Sequence, residues 1–316
     1  MVIQTHVSLA PFTNWRIGGP ADYFVEISSR QELEEALAET RKRNVPYFIL
    51  GGGTNILVSD EGFRGMVIKN SLKDITIVGF KGKIGTKGEG SVRHVFVRAD
   101  AGVLTNRLVR YACDHAFSGL ENFLGQPGTV GGAVYINAHN MNKQDFFGDH
   151  IVEADIIGID GKVRTVPASY FRFGYDESTI QKTGDVVVSV VVGLTQQSDR
   201  KDEIWKKAED AMGYRQATQP KGYPTAGCTF RNIPLADALR IGTPDHTRSA
   251  GFLIDACGLK GKKTGHAKIS DEHANFILNI GSATASDVKQ LIDVAKKKVH
   301  EKFGVELHEE VVLVGF

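Results

Sequence analysis

From Trp15 to Lys69 the chain alternates strand-like and helix-like patterns of apolar and polar positions. Ala21–Ile27 is apolar-rich. Ser29-x-x-Glu32 follows it as a capping box, the serine taking a backbone N–H while the glutamate reaches back, and so predicts a helix start. Leu33, Ala36, Leu37 and Thr40 keep helical spacing through Arg43. Val45–Leu50 is a buried-strand candidate that ends in Gly51-Gly52-Gly53, and Gly65–Lys69 is a second short strand after the turn Ser59-Asp60-Glu61-Gly62. Lys73–Asp100 reads as strands broken by a polar, glycine-rich hairpin at Lys81–Ser91. A helix over Leu104–His115 and strands at Val152–Asp160, Lys162–Val166 and Val186–Leu194 follow. The composition turns polar at Gln196–Lys206, where another helix starts. In the last helix Val288, Leu291, Ile292, Ala295 and Val299 share one face, and Val311–Val314 closes the chain as a strand. The pattern predicts an α+β protein with an α/β unit over 1–71, a β-rich unit over 72–198 and a third over 199–304.

Composition narrows the class. Hydrophobic residues make up 41% and charged residues 24% of 316, ordinary for a folded globular protein and wrong for a disordered, collagen-like or coiled-coil chain. Lys+Arg 38 against Asp+Glu 37 leaves a net charge of +1. So small a charge gives no field that argues for nucleic acid or an anionic membrane as partner. Cys113, Cys228 and Cys257 are odd in number and lack a C-x-x-C pair, so neither a disulfide framework nor a metal knuckle is expected. No stretch approaches 18 apolar residues and no signal-peptide pattern opens the chain. The expectation is a cytoplasmic protein with no metal.

Glycine is the one excess, 35 residues or about 11% against about 7% on average. Gly51-Gly52-Gly53-Thr54-Asn55-Ile56-Leu57-Val58 lacks the lysine of a Walker A loop. It runs into a turn rather than opening a helix, as a Rossmann fingerprint would. Closely spaced backbone N–H groups with Thr54 and Asn55 suit a pyrophosphate, although alone such a run is a structural turn more often than a ligand site. Gly125-Gln126-Pro127-Gly128-Thr129-Val130-Gly131-Gly132-Ala133-Val134 is a second place where backbone can lie against a large ligand. Two such loops, each after an apolar run, fit a dinucleotide held between two domains.

Those loops, with Asn14-Trp15-Arg16-Ile17-Gly18-Gly19-Pro20-Ala21 and Gly62-Phe63-Arg64-Gly65, resemble the UDP-N-acetylenolpyruvoylglucosamine reductase (MurB) family. The resemblance continues through Ala226-Gly227-Cys228-Thr229-Phe230-Arg231-Asn232, Ser249–Gly261 and His273-Ala274-Asn275-Phe276 to Phe303–Val311. It thus spans essentially the whole chain in family order. The short segment between Tyr175 and Arg215 resembles the subtype without a tyrosine-bearing insertion. The resemblance implies a vanillyl-alcohol-oxidase-type (PCMH) FAD-binding fold of two α/β subdomains plus a C-terminal α+β substrate domain, with 305–316 returning to the active site. It implies non-covalent FAD held by Trp15, Gly18, Gly51, Gly52, Gly53, Thr54, Asn55, Ile56, Leu57, Gly128, Thr129, Gly131, Gly132 and Ala133. NADPH is the implied hydride donor, and a monomer is expected.

The implied activity reduces the enolpyruvyl ether of UDP-N-acetylglucosamine to the lactyl ether of UDP-N-acetylmuramate, in peptidoglycan precursor synthesis and so in cell-wall biogenesis and division. That chemistry needs charge stabilisation on the substrate carboxylate as it takes on enolate character, and a proton donor over the alpha carbon. The family's donor is usually serine; Cys228 stands at that position, and a thiol with an ordinary pKa near 8.5 is the stronger acid. Glu310 matches the glutamate that bears on the substrate carboxylate. Tyr175, Arg215, Asn232 and His273 match positions that engage the sugar nucleotide. Two places depart from the pattern. Asp176 stands where Gly-Tyr-Arg-x-Ser has its arginine, turning a favourable charge pair into a like-charge one, with Arg172 as a candidate substitute. Asn137-Ala138-His139-Asn140 differs from the usual Asn-Ala-Gly opening, which implies a reshaped loop. The competing expectation is therefore a flavin-binding relative with impaired turnover or another substrate.

Overall fold

The computed structural model describes residues 1–82 and 93–316, so the expected hairpin lies, from residue 83 on, outside the described residues. The backbone groups into two units. Met1–Ile3, Val25–Gly52 and Val67–Ala217 form the first; Gln4–Phe24, Gly53–Met66 and Thr218–Phe316 form the second.

The first unit is built on Val186–Gln196, whose valine run is buried from Val186 to Val192. β-Branched residues suit such a strand because both faces pack. Ile151–Ile157 pairs antiparallel on one side and Arg93–Asp100 on the other, with Val163–Pro167 and Ile75–Gly82 at the edges. The helix Thr105–Asp114 buries Leu108, Val109, Ala112 and Cys113 in the core of this unit. Helix Arg30–Arg43 starts and stops as expected, with one change in its cap. Ser29 Oγ accepts from the Glu32 N–H at 3.2 Å, but the Glu32 carboxylate returns to the N–H of Ser28, at 2.8 Å, not Ser29. Helix Lys201–Thr218 begins within the polar stretch and buries Ile204, Ala208 and Ala211.

In the second unit, helix Ala285–Phe303 opens with a Thr284/Asp287 capping box and buries the predicted face. Asp60 accepts from the N–H groups of Ala285 and Ser286 at 2.7 and 2.9 Å, a carboxylate at the positive end of the helix dipole. The helix shares a core with strands Ala267–Ile269 and Ile277–Asn279. Early segments enter this unit through contacts that periodicity cannot reveal. Ile56–Val58 runs parallel to Val312–Val314. Trp15, fully buried, donates its indole N–H to the Ile277 carbonyl at 2.8 Å, and Asn279 Nδ2 donates to the Trp15 carbonyl at 2.9 Å.

Candidate active site

The two glycine loops touch within the first unit. A Cβ on Gly51 would lie 2.5 Å from Thr129 Oγ1, so glycine is what allows the approach. Val130 and Gly131 donate their N–H groups to the carbonyls of Val103 and Ala101, both at 2.8 Å, and Gly128 accepts from the Thr105 N–H at 3.0 Å. Thr129 Oγ1 faces the Gly132 N–H at 3.4 Å as cap of the short helix Val130–Tyr135, which carries Ala133. A Cβ on Gly132 would have only that oxygen, at 3.6 Å, near it. The lack of a side chain at Gly132 thus leaves room for a large ligand to approach the start of this helix. Lys69 enters unannounced by any motif: its ammonium donates to the Gly51 carbonyl at 2.5 Å, and burial pushes its pKa down against the pull of Glu26. These residues fit FAD.

The rest of the glycine run belongs to the second unit. Gly53 sits at φ +64°, and a Cβ there would stand 1.8 Å from the Phe12 carbonyl oxygen. Ile56 and Leu57 are buried strand residues and Trp15 is core, so their side chains serve packing. Asn55 Nδ2 donates to the Glu310 carbonyl at 3.0 Å, and the Glu310 N–H donates to the Thr229 carbonyl at 2.9 Å. Cys228, half-buried, bridges Phe276, while the Thr229 N–H donates to the Asn275 carbonyl at 2.8 Å. Asn275, which no expectation singled out, clamps Phe230 through its Oδ1 and Nδ2, at 2.9 and 2.8 Å. Its own N–H donates to His273 Nδ1 at 3.3 Å. Burial, and then the Lys260 charge, push the His273 pKa down. Cys228, Glu310 and the His273 turn therefore share one backbone network, with Asn232 half-buried in the irregular segment that follows Cys228.

A second cluster of expected residues gathers in the first unit. Asp176 is buried, at φ 55°. His139 Nδ1 lies 3.6 Å from Asp176 Oδ1, and the Tyr175 ring lies 4.8 Å from the imidazole. Arg215 is close enough for its charge to act on His139. The loop is stapled: Asn137 Nδ2 donates to the Gly174 carbonyl at 2.9 Å, and Ser178 Oγ and Gln181 Nε2 donate to the Tyr135 carbonyl at 2.6 and 2.7 Å. Arg172 is exposed at a left-handed position and, among the described residues, makes no ion pair with Asp176.

Residues 219–314 match the UDP-N-acetylenolpyruvoylglucosamine reductase C-terminal domain, and residues 21–167 match an FAD binding domain. The UDP-N-acetylenolpyruvoylglucosamine reductase of Anoxybacillus flavithermus is 37% identical, over 99% of this chain and 94% of its own. This chain belongs to the UDP-N-acetylenolpyruvoylglucosamine reductase family. The family's member from Chlamydia trachomatis serovar D is 34% identical, over 99% of this chain and 97% of its own. The crystal structure of the UDP-N-acetylenolpyruvylglucosamine reductase (MurB) from Thermus caldophilus superposes with a TM-score of 0.76 at 32% identity, covering 99% of both chains. A VAO-type flavoprotein from Myceliophthora thermophila C1 shares the fold, with a TM-score of 0.51 at 12% identity over 89% of this chain and 70% of its own. The fold is thus the expected vanillyl-alcohol-oxidase type joined to the family's C-terminal domain.

Proposed function

We propose that this chain is an oxidoreductase that converts UDP-N-acetylglucosamine enolpyruvate to UDP-N-acetylmuramate, with FAD held non-covalently and NADPH as hydride donor. One observation carries the reading: the backbone beside Cys228 is bonded to that of Glu310, whose carbonyl is held by Asn55 of the glycine run. A proton donor, an acid and a flavin loop thus converge. FAD, when bound, would supply the redox chemistry that links oxidation of NADPH to reduction of the vinyl group. Cys228 protonates the alpha carbon. Glu310 bears on the carboxylate as it takes on enolate character. Tyr175, Arg215, Asn232 and His273 hold the sugar nucleotide.

In this reading, 1–71 and 72–198 hold the flavin, 199–304 holds the substrate, and 305–316 brings Glu310 back to it. The protein works as a cytoplasmic monomer; no helix among the described residues is long and apolar enough to cross a membrane. The alternative of an impaired relative drew its case from Asp176. That case weakens because Asp176 is buried behind His139, with Arg215 nearby.

The test is anaerobic stopped flow. The purified protein should be yellow with about one FAD per chain, neither glycine loop offering a histidine or cysteine for covalent attachment. NADPH should bleach the flavin, and the enolpyruvyl sugar nucleotide should restore its colour. Protein that takes up no FAD, or reduced flavin that substrate does not reoxidise, defeats the proposal.

A further inference from the structure

The two departures from the family pattern, at 139 and 176, are neighbours in space, and they differ in access. His139 keeps 13% of its side chain exposed and Asp176 only 2%, with Nδ1 and Oδ1 3.6 Å apart. A ligand reaching this cluster meets the imidazole, and the carboxylate lies behind it. The imidazole is held between rings, Tyr175 at 4.8 Å and Phe146 at 5.6 Å. Among the groups the structure places against it, the Asn137 backbone bonds it, the Asp176 carboxylate lies 3.6 Å away and the Arg215 charge acts on it. Asp145, on the strand paired with His139–Asn140, is engaged elsewhere: it bonds His150 Nε2 and accepts from Asn122 Nδ2, both at 2.7 Å.

We propose that His139 meets the substrate carboxylate in place of the family's arginine, and that Asp176 is its positioning residue. The assignment rests on the reductase reading above. Charge balance supplies the reason. Asp176 lies 3.6 Å from His139, the Arg215 charge acts on the same imidazole, and burial first, then that charge, hold the imidazole pKa down in the free protein. A carboxylate brought against His139 adds one negative charge in a desolvated place, which is offset when the imidazole takes up one proton. Asp176 then stabilises the imidazolium from behind and fixes its orientation. The like-charge repulsion expected between Asp176 and the substrate is thereby replaced by a carboxylate–imidazolium–carboxylate row.

Two variants test this, His139→Gln and Asp176→Asn, each checked for flavin content. Binding is measured for UDP-N-acetylmuramate, which carries the carboxylate, and for UDP-N-acetylglucosamine, which lacks it. His139→Gln should weaken the first at least tenfold relative to the second, and should lower kcat/KM for the enolpyruvyl substrate by a similar factor. In the parent, kcat/KM should fall as pH rises and the imidazole loses its proton. His139→Gln should abolish that limb. Asp176→Asn should move it to lower pH, because Arg215 then opposes the imidazolium without a carboxylate to balance it; a merely structural Asp176 would leave the limb in place. Carboxylate selectivity and a pH profile unchanged in His139→Gln overturn the assignment alone. An Asp176→Asn limb at the parent's pH overturns the positioning role even if His139→Gln fails to fold. A parent that neither binds nor reduces the carboxylate-bearing nucleotides overturns the reductase reading, and this assignment with it.

Discussion

Gly51→Ala tests the contact between the two glycine loops. The new methyl carbon would stand 2.5 Å from Thr129 Oγ1, while Thr129 Cβ and Cγ2 lie at 3.7 and 3.8 Å. A single oxygen is therefore the obstacle, and it must retreat by roughly 1 Å to reach ordinary contact. Thr129 is 3% exposed and caps the helix Val130–Tyr135, so the oxygen has no free volume to enter and a bond to lose. Forcing a methyl into packed structure costs about 1–3 kcal/mol, and the long cap bond adds about 0.5 kcal/mol. The sum, about 1.5–3.5 kcal/mol, corresponds to a fall in Tm of roughly 2–5 °C for a chain of this length. Thr129→Ala alone should cost about 0.5–1 kcal/mol, the cap only. With Oγ1 gone, the methyl at 51 meets the Cβ of residue 129 at an ordinary distance. The double variant should therefore be more stable than Gly51→Ala by at least about 1 kcal/mol. Thermal melts and urea midpoints on FAD-loaded and FAD-stripped protein measure this, with the flavin absorbance reporting occupancy. A Gly51→Ala variant that melts with the parent, or a double variant that loses the sum of the singles, would refute the contact.

Cys228→Ser should keep turnover, whereas Cys228→Ala should lose substrate reduction yet still have its flavin reduced by NADPH; equal reoxidation rates in parent and alanine variant would rule out the donor role. Burial holds His273 below the ordinary histidine value, so between that lowered value and about 6.5 the unfolded chain binds the extra proton. Stability should decline as pH drops through this window, and denaturation midpoints from pH 7 to 5 should show a shallower decline in His273→Gln. Cys113 is 1% exposed with its thiol pushed up to about 12; a thiol reagent at pH 8 should modify it only after unfolding, and native labelling of all three cysteines would contradict its burial. Asp176→Arg alone should lower Tm and leave kcat/KM no better than the parent, because it sets a guanidinium against His139 and Arg215. His139→Gly with Asp176→Arg should recover both, and a single variant that outperforms the double would count against the spatial pairing of the two positions.

Local pattern foretold the elements well where one face is buried. The Val288–Val299 face and the Arg30–Arg43 helix follow from spacing and caps, because those signals act within a few residues. Contacts between distant segments were hidden. Trp15 reads as a motif residue, yet its indole N–H is taken by Ile277, and Ile56–Val58 finds its parallel partner at Val312–Val314. The candidate site divides in the same way. Cys228, Glu310, Asp176 and the glycine loops could be named from motifs. Lys69 on the Gly51 carbonyl carries no motif, and Asn275 lies in one that says nothing of its clamp on Phe230, since each works through backbone carbonyls and amides that any sequence supplies.

His139 and Asp176 show how far such a reading extends. Taken one position at a time, a histidine in a glycine's place reads as a reshaped loop, and an aspartate in an arginine's place reads as a damaged charge. Placed 3.6 Å apart and buried to different depths, they form one unit in which the carboxylate needs the imidazole and the imidazole shields the carboxylate. The two positions are in contact, so their substitutions should not add, and exchanging both together should cost less than exchanging either alone. Turnover is therefore to be judged on the pair, and Asp176 alone is poor evidence for or against it.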